Sequence, residues 1–326
     1  MNTISKYYYH QLDSEQRVAY NLIYEGLSKF SNKIILPLAP KNNLKKIYQS
    51  VLWDNPVLFF TISFQYVTDV RKRIIVLTPT YRYSRDVVRQ WSDILISYLH
   101  SFDYMKSKSD LQKELFVHDY CLNKLKYDYF FKKQSFSPLG PMIFDTGVCE
   151  GIAKFVKILF DYLGVGCVLV SGKAINGTTQ IAEPHMWNIV EIDDGCYHLD
   201  VTYDMTLSKN IPRYDYFNLN DIEIKKDRTI HSNAPRCLIP NQDYYTVNSM
   251  TVYSLKEMEH HIRTNLLKGK KHMVIKLSNR NLFTSINLTG KIIDFATRQY
   301  RKIFSQSVSI VVNYNPSQQV FELIFT

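Results

Sequence analysis

Cys149 stands in the run Gly147-Val148-Cys149-Glu150-Gly151, just before a dense apolar stretch that continues to about Leu163. That stretch reads as a mostly buried helix, interrupted by Lys154, Lys157 and Asp161, which share one face as a narrow wet stripe. A cysteine at the start of such a helix meets unpaired backbone N–H groups and the positive end of the helix dipole, both of which favour thiolate over thiol. The same N–H groups can donate to an oxyanion developing on a substrate carbonyl. Gly147 and Gly151, on either side, point to close approach of a ligand to the backbone. The competing reading is a small, buried packing residue, which is how most cysteines behave.

A base for that thiol lies downstream. His185-Met186-Trp187-Asn188-Ile189-Val190-Glu191-Ile192 alternates as a strand, Asp193-Asp194-Gly195 is a turn signal, and Cys196 to Thr202 is expected to return as the partner strand. With Asp193-Asp194 as the two-residue turn, Ile192 faces Gly195 and His185 faces Thr202. Asp200 is then a diagonal neighbour on the face of His185, on the order of 7 Å away between backbones. A turn at Asp194-Gly195 would keep the face and lengthen the gap, and a one-residue slip would separate the two side chains. A cysteine, a histidine and a carboxylate so arranged are the parts of a nucleophile, a base and an orienting group.

The elements that must position these residues follow from pattern and caps. Residues 13–30 read as a helix opened by Asp13 or Ser14, and 42–53 as a second one ended by the Asp-Asn-Pro turn at 54–56. Val57 to Val67 and Arg73 to Thr78 look like paired strands. Helices at 84–99 and 110–124 lead to a loop with Ser137, Pro138, Gly140 and Pro141 that delivers the chain to Cys149. After Asn241 the pattern changes. Ser254 and Glu257 form a capping box for a helix with the stripe Leu255, Met258, Ile262 and Leu266, followed by a strand at 272–278, a helix near 291–304, and strands at 308–314 and 320–325 about an Asn-Pro-Ser turn.

The blocks G-V-C-E-G at 147–151, H-x-W-N at 185–188 and Y-H-x-D-V-T at 197–202 resemble those of bacterial transglutaminase-like domains, relatives of the papain-fold cysteine peptidases. The resemblance covers about Ser107 to His231, including His118-Asp119 and Lys126-Tyr127-Asp128, and extends more weakly upstream. It implies Cys149 as nucleophile, His185 as general base and Asp200 as the group that orients it. The implied fold is α+β, a papain-like transglutaminase core in which the Cys helix packs on a short antiparallel sheet. The family usually has a small residue after its histidine, where this chain has Met186, a difference that bears on substrate preference. The division expected is an N-terminal α/β region at 1–105, the catalytic domain at 106–237 and a small basic α+β module at 238–326.

Remaining candidates are weighed against plainer roles. Trp187 is either a wall of the acyl-binding groove or core packing, and Gln134 is a candidate for the side-chain half of an oxyanion hole. His118 and Asp119 are expected to be structural, bonding the loop before Cys149. His198 is expected to be exposed or structural, and Cys167, Cys196 and Cys237 to be packing residues.

With 326 residues, 45% hydrophobic and 14% aromatic, the chain is long and apolar enough for a real core and is not disordered. Five widely spaced cysteines with no C-x-x-C pair suggest neither zinc nor a redox dithiol, and a reduced, cytoplasmic compartment. No metal or organic cofactor is expected, since neither ligand spacing nor a phosphate-cradling loop is present. Neither a signal peptide nor an apolar run long enough to span a bilayer is seen. Net charge is +10, of which +6 falls in 238–326, where 11 Lys and Arg meet 5 Asp and Glu. Without a recognition motif this reads as a solvated basic face, and no nucleic-acid partner is expected. The expected partner is a protein or peptide substrate, cleaved, deamidated or crosslinked through a thioester. The alternative is a catalytically inactive scaffold of the same fold that binds protein partners.

Overall fold

The computed structural model describes residues 4–39, 41–175, 179–193, 195–209, 211–278 and 288–326. Its N-terminal part holds α1 (Tyr7–His10), α2 (Ser14–Ser28), β1 (Ile34–Pro37), α3 (Leu44–Asp54), β2 (Thr61–Asp69) and β3 (Ile74–Tyr81). Asp13 caps α2 by accepting from the Gln16 N–H, while the Gln16 side chain returns a bond to the Asp13 N–H. The strands form an antiparallel sheet in the order β1-β3-β2. Leu27, Ile47, Val51, Ile75 and Leu77 are fully buried between this sheet and the helices. The second strand begins at Thr61, later than the expected Val57, because Pro56–Leu58 closes a 3-10 turn. Proline fixes its own φ and cannot donate to a ladder at that point.

The central part follows as α4 (Arg85–His100), α5 (Asp110–Lys124), β4 (Lys126–Tyr127), α6 (Leu139–Phe144), β5 (Thr146–Gly147), α7 (Cys149–Leu163), β6 (Gly166–Ile175), β7 (Ala182–Ile192), β8 (Gly195–Leu199), α8 (Val201–Leu207), α9 (Asp221–Ile224) and β9 (Arg228–Ile230). Ser84 and Ser109 cap α4 and α5. The sheet is antiparallel in the order β8-β7-β6-β9. Helix α7 packs on β6 and β7 through a core that includes Ile152, Phe155, Val156, Leu159 and Val190. It stops at Gly164, whose φ of 77° is the left-handed conformation that glycine adopts freely. The wet stripe expected on α7 is narrower than the sequence suggests. Lys157 is buried and donates to the Cys167 carbonyl (2.8 Å) and to Asp161 (2.9 Å), which satisfies its charge inside the fold.

The C-terminal part consists of α10 (Tyr244–Val247), β10 (Thr251–Val252), α11 (Leu255–Leu267), β11 (His272–Leu277), α12 (Leu288–Phe304), β12 (Ile310–Asn315) and β13 (Val320–Phe325), with sheet order β10-β11-β13-β12. Met258, Ile262 and Leu266 form the buried stripe of α11. Ser254 Oγ accepts from the Glu257 N–H as a capping box requires, but the Glu257 carboxylate accepts from Tyr253 N–H (2.8 Å). Val274 and Val320 of this sheet belong to the central core cluster. The whole is a mixed α+β protein, and no helix among the described residues is long and apolar enough to cross a membrane.

Candidate active site

Two short segments hold the start of α7. Val148 N–H donates to the Ser135 carbonyl (3.0 Å), and Gly147 pairs with Tyr127 in the two-stranded β4-β5 sheet. No side chain caps the helix at Val148, so its first N–H groups keep their capacity for a ligand. Cys149 is the first helical residue and is partly exposed. The flanking glycines have another explanation than a ligand. A Cβ on Gly151 would overlap the Ser135 carbonyl, and one on Gly147 would press on Pro141 and Ile152. The backbone that approaches closely is the protein's own.

His185 lies on β7, and its register with β8 begins as expected, Ile192 opposite Gly195 and Asn188 opposite Leu199. Asp194 of the turn lies outside the described residues. The expected pairing of His185 with Thr202 does not form, because β8 ends at Leu199 and α8 starts at Val201. Asp200 caps that helix, with Oδ1 accepting from Tyr203 N–H (3.2 Å). The turn from strand to helix brings Oδ2 to 2.7 Å from His185 Nε2, closer than a diagonal strand position would. The Cys149 thiol lies near enough to the same ring to favour its protonated form. Thus Cys149, His185 and Asp200 come together at one place, with His185 and Asp200 joined by a hydrogen bond.

A fourth member was not anticipated. Arg228, on β9, reaches the same Asp200 oxygen with Nη2 (2.9 Å) and Nε (3.3 Å) and pairs with Asp227 (2.9 Å). Its guanidinium lies over the rings of Tyr203 and Tyr216, at 3.9 and 4.4 Å. Burial disfavours charge on Asp200, but His185 and Arg228 outweigh it and hold the carboxyl at about 2. Burial likewise opposes the imidazolium, yet the charge and hydrogen bond of Asp200, helped by Cys149 and weakly opposed by Arg228, push His185 up to about 9.

Trp187 does not line an open groove. It is 1% exposed, its ring stacks on His185 at 5.8 Å, and its N–H donates to His198 Nδ1 (3.0 Å). It sets the plane of the imidazole from within the core. Asn188, in the same block, bonds the Ala153 carbonyl (3.0 Å) and Cys167 Sγ (3.3 Å), which ties the histidine strand to the cysteine helix. Gln134 belongs to a 3-10 turn, Lys133–Phe136, whose Ser135 carbonyl takes the Val148 N–H, so its backbone lies beside the start of α7. His118 is buried and bonds Asp119 and Asp204 (3.1 Å each), and it stacks on Tyr214, away from the loop before Cys149 that was its expected partner.

A second grouping, His198, Asp221 and Cys237, is buried with its donor atoms within 4.8 Å of one another. The donors do not suit a metal. Because Trp187 donates to Nδ1, the His198 proton is on Nε2 and is given to Asp221 (3.1 Å), which occupies both nitrogens. Burial also pushes the Cys237 thiol up, away from the thiolate that a metal needs.

No family model and no curated protein matches the chain. Among solved structures, one described as a TGase is similar over 44% of this chain and 44% of its own, at 18% identity and a TM-score of 0.28. Another, described as a proposed cysteine protease from Cytophaga hutchinsonii, is similar over 43% of this chain and 62% of its own, at 15% identity and a TM-score of 0.27. This chain therefore spans less than half of the first and under two thirds of the second. At such scores, side-chain geometry has to carry the chemistry.

Proposed function

We propose that the protein is a transglutaminase-like cysteine enzyme that transfers acyl groups from peptide or carboxamide bonds through a thioester on Cys149. The observation that carries this reading is the His185 ring, held by Asp200 at 2.7 Å on Nε2 with the Cys149 thiol near enough to favour its protonated form. As Cys149 Sγ attacks the carbonyl carbon, its proton passes to His185. The first N–H groups of α7 face the oxyanion, and Gln134 is the candidate for a side-chain donor. The C–N bond then breaks, the proton leaves with the amine, and the thioester remains. Water or a second amine gives a proton to His185 as it attacks, and the sulfur recovers that proton when the thioester breaks. Water yields peptidase or deamidase chemistry, and an amine yields crosslinking.

The test is cysteine labelling with iodoacetamide, followed residue by residue by mass spectrometry, together with release of ammonia from glutamine-containing peptides. Cys149 should react fastest of the five cysteines, and Cys149→Ala should abolish ammonia release while circular dichroism stays unchanged. Slow, uniform labelling without turnover would favour the inactive scaffold. An unfolded Cys149→Ala variant would return the residue to a packing role.

A further inference from the structure

A cleft of about 680 Å³ lies between the N-terminal part and the helix that carries Cys149. One side is a single face of α3, with Lys45, Tyr48 and Leu52 spaced one turn apart. The other side is β2, which contributes the unbroken run 62–66. Successive strand residues point to opposite faces, so five in a row can border one cleft only along the strand's edge. Glu150 and Lys154, ion-paired at 2.5 Å, also line the cleft, and Glu150 is the residue next to the proposed nucleophile.

That edge of β2 is open. In the order β1-β3-β2, no strand among the described residues pairs with its outer side. Leu38 N–H donates to the Arg73 carbonyl, and Arg82 N–H to the Phe60 carbonyl, so odd residues of β3 face β1 and even ones face β2. The partners of even residues, Gln65 opposite Thr78 and Val67 opposite Val76, therefore spend their backbone groups on β3. Phe64 pairs with Pro79, which has no N–H to give. The backbone N–H and C=O groups of Phe64 and Tyr66 thus point outward along the cleft, and those of Thr68 continue the same edge beyond it. A long strand with such an edge is a template for another strand unless something covers it.

We propose that an extended segment of the protein substrate adds to β2 as a further strand, which leads its scissile carboxamide along the cleft to Cys149. The proposal rests on the reading of Cys149 as nucleophile. The occupant is identified by Glu150, the neighbour of Cys149, which lines the same cleft as this edge. Main-chain hydrogen bonds would supply affinity with little dependence on sequence, and the pockets beside Tyr48 and Leu52 would supply preference.

Two measurements on the full chain test it. In the first, hydrogen exchange is followed with an unmodified, mixed-sequence pool of ten-residue peptides. Exchange should slow at Phe64, Tyr66 and Thr68 and stay as it was at Gln65 and Val67; no change at the first three overturns the proposal whatever Cys149 does. The second compares alkylation of Cys149 by the same pool, chloroacetylated, with alkylation by chloroacetamide. The peptides should react at least ten-fold faster in the wild type and in Tyr66→Ala. In Tyr66→Pro, which removes an outward N–H and spares the ladder, the advantage should vanish. Equal rates in the wild type overturn the proposal. Chloroacetamide labelling of Cys149 no faster than that of Cys196 would instead overturn the nucleophile, a separate failure. Light scattering that shows a wild-type dimer split by Tyr66→Pro would give the edge to a second copy and also overturn the proposal.

Discussion

Oδ2 of Asp200 accepts from two cations, His185 and Arg228, and this shared oxygen sets the protonation of the site. His185 is held up to about 9, so the proton it takes from Cys149 stays on the ring through neutrality and is available to a departing amine. Activity should therefore fall as pH rises through about 9. In Asp200→Asn that limb should move toward the ordinary imidazole range, near 6.5, and turnover should drop by roughly a thousand-fold or more. Titration of the His185 ring proton by NMR reads the shift directly, and a limb that stays near 9 would assign it to another group. The linked stability has the matching sign. The raised His185 contributes fully below about 6.5 and loses its contribution through about 9, while the lowered Asp200 contributes above about 3.9 and loses it as pH falls through about 2. Arg228 acts through Asp200 and so positions the base without touching it. Removing one partner of a buried ion pair strands the other, at a cost of about 3–5 kcal/mol. Arg228→Leu should show a loss of that size in urea unfolding. Arg228→Lys should recover only part of it, since an ammonium cannot reproduce the fork on Asp200 or the stacking on Tyr203 and Tyr216.

At the scale of elements, the site depends on how closely the turn at Lys133–Phe136 lies against α7. An alanine inside a helix is ordinarily about 1 kcal/mol better than a glycine. At Gly151 the sign should reverse, because the added Cβ meets the carbonyls of Ser135 and Ser137 and must drive the turn away. Gly151→Ala should lose about 1–3 kcal/mol in thermal unfolding and slow alkylation of Cys149. A stabilised variant would show that the turn yields freely. The cysteine helix and the capped helices α2, α4 and α5 were legible because apolar period and caps are both local signals. Strand β6 was not recognised: Cys167 to Val170 are all buried, so the run has no alternation to reveal it. A strand reading places Asp200 on the face of His185 but gives no sign that the chain turns into a helix at that residue, the turn that brings its carboxylate to 2.7 Å from the ring. Arg228 sits in Lys225-Lys226-Asp227-Arg228, which has the composition of a solvated turn, and only the tertiary fold reveals its partners. Trp187 was legible as part of a motif but not as buried, because a tryptophan looks the same in sequence on either face of a strand.

Across the whole molecule, the C-terminal sheet is joined to the candidate site through buried polar contacts. Glu322 on β13 accepts from Arg213 (3.4 Å), Asn313 (2.7 Å) and His272 (2.7 Å). Arg213 grips Asp215 with two bonds, and Asn315 and Tyr245 bond the same carboxylate at 2.8 and 2.9 Å. Asn315 also reaches Tyr216, whose hydroxyl donates to Asp227 (2.6 Å), the partner of Arg228. Charges buried in this way are strongly destabilising when any one loses its partner, so the sheet and the part that carries the candidate site should stand or fall together. Glu322→Leu removes the acceptor of Asn313 and His272 and the weaker of the two carboxylates on Arg213, which keeps Asp215, and should remove about 1–3 kcal/mol. The informative measurement is urea unfolding of this variant with Trp53 and Trp91 replaced by Phe, so that fluorescence reports only Trp187, which stacks on His185. If the network couples the parts, the Trp187 transition should move to lower urea in step with far-UV circular dichroism, as a single cooperative event. An early loss of circular dichroism with the Trp187 midpoint unmoved would show that the C-terminal sheet unfolds by itself, and that the contacts across Arg213 and Asn315 hold two independent units side by side.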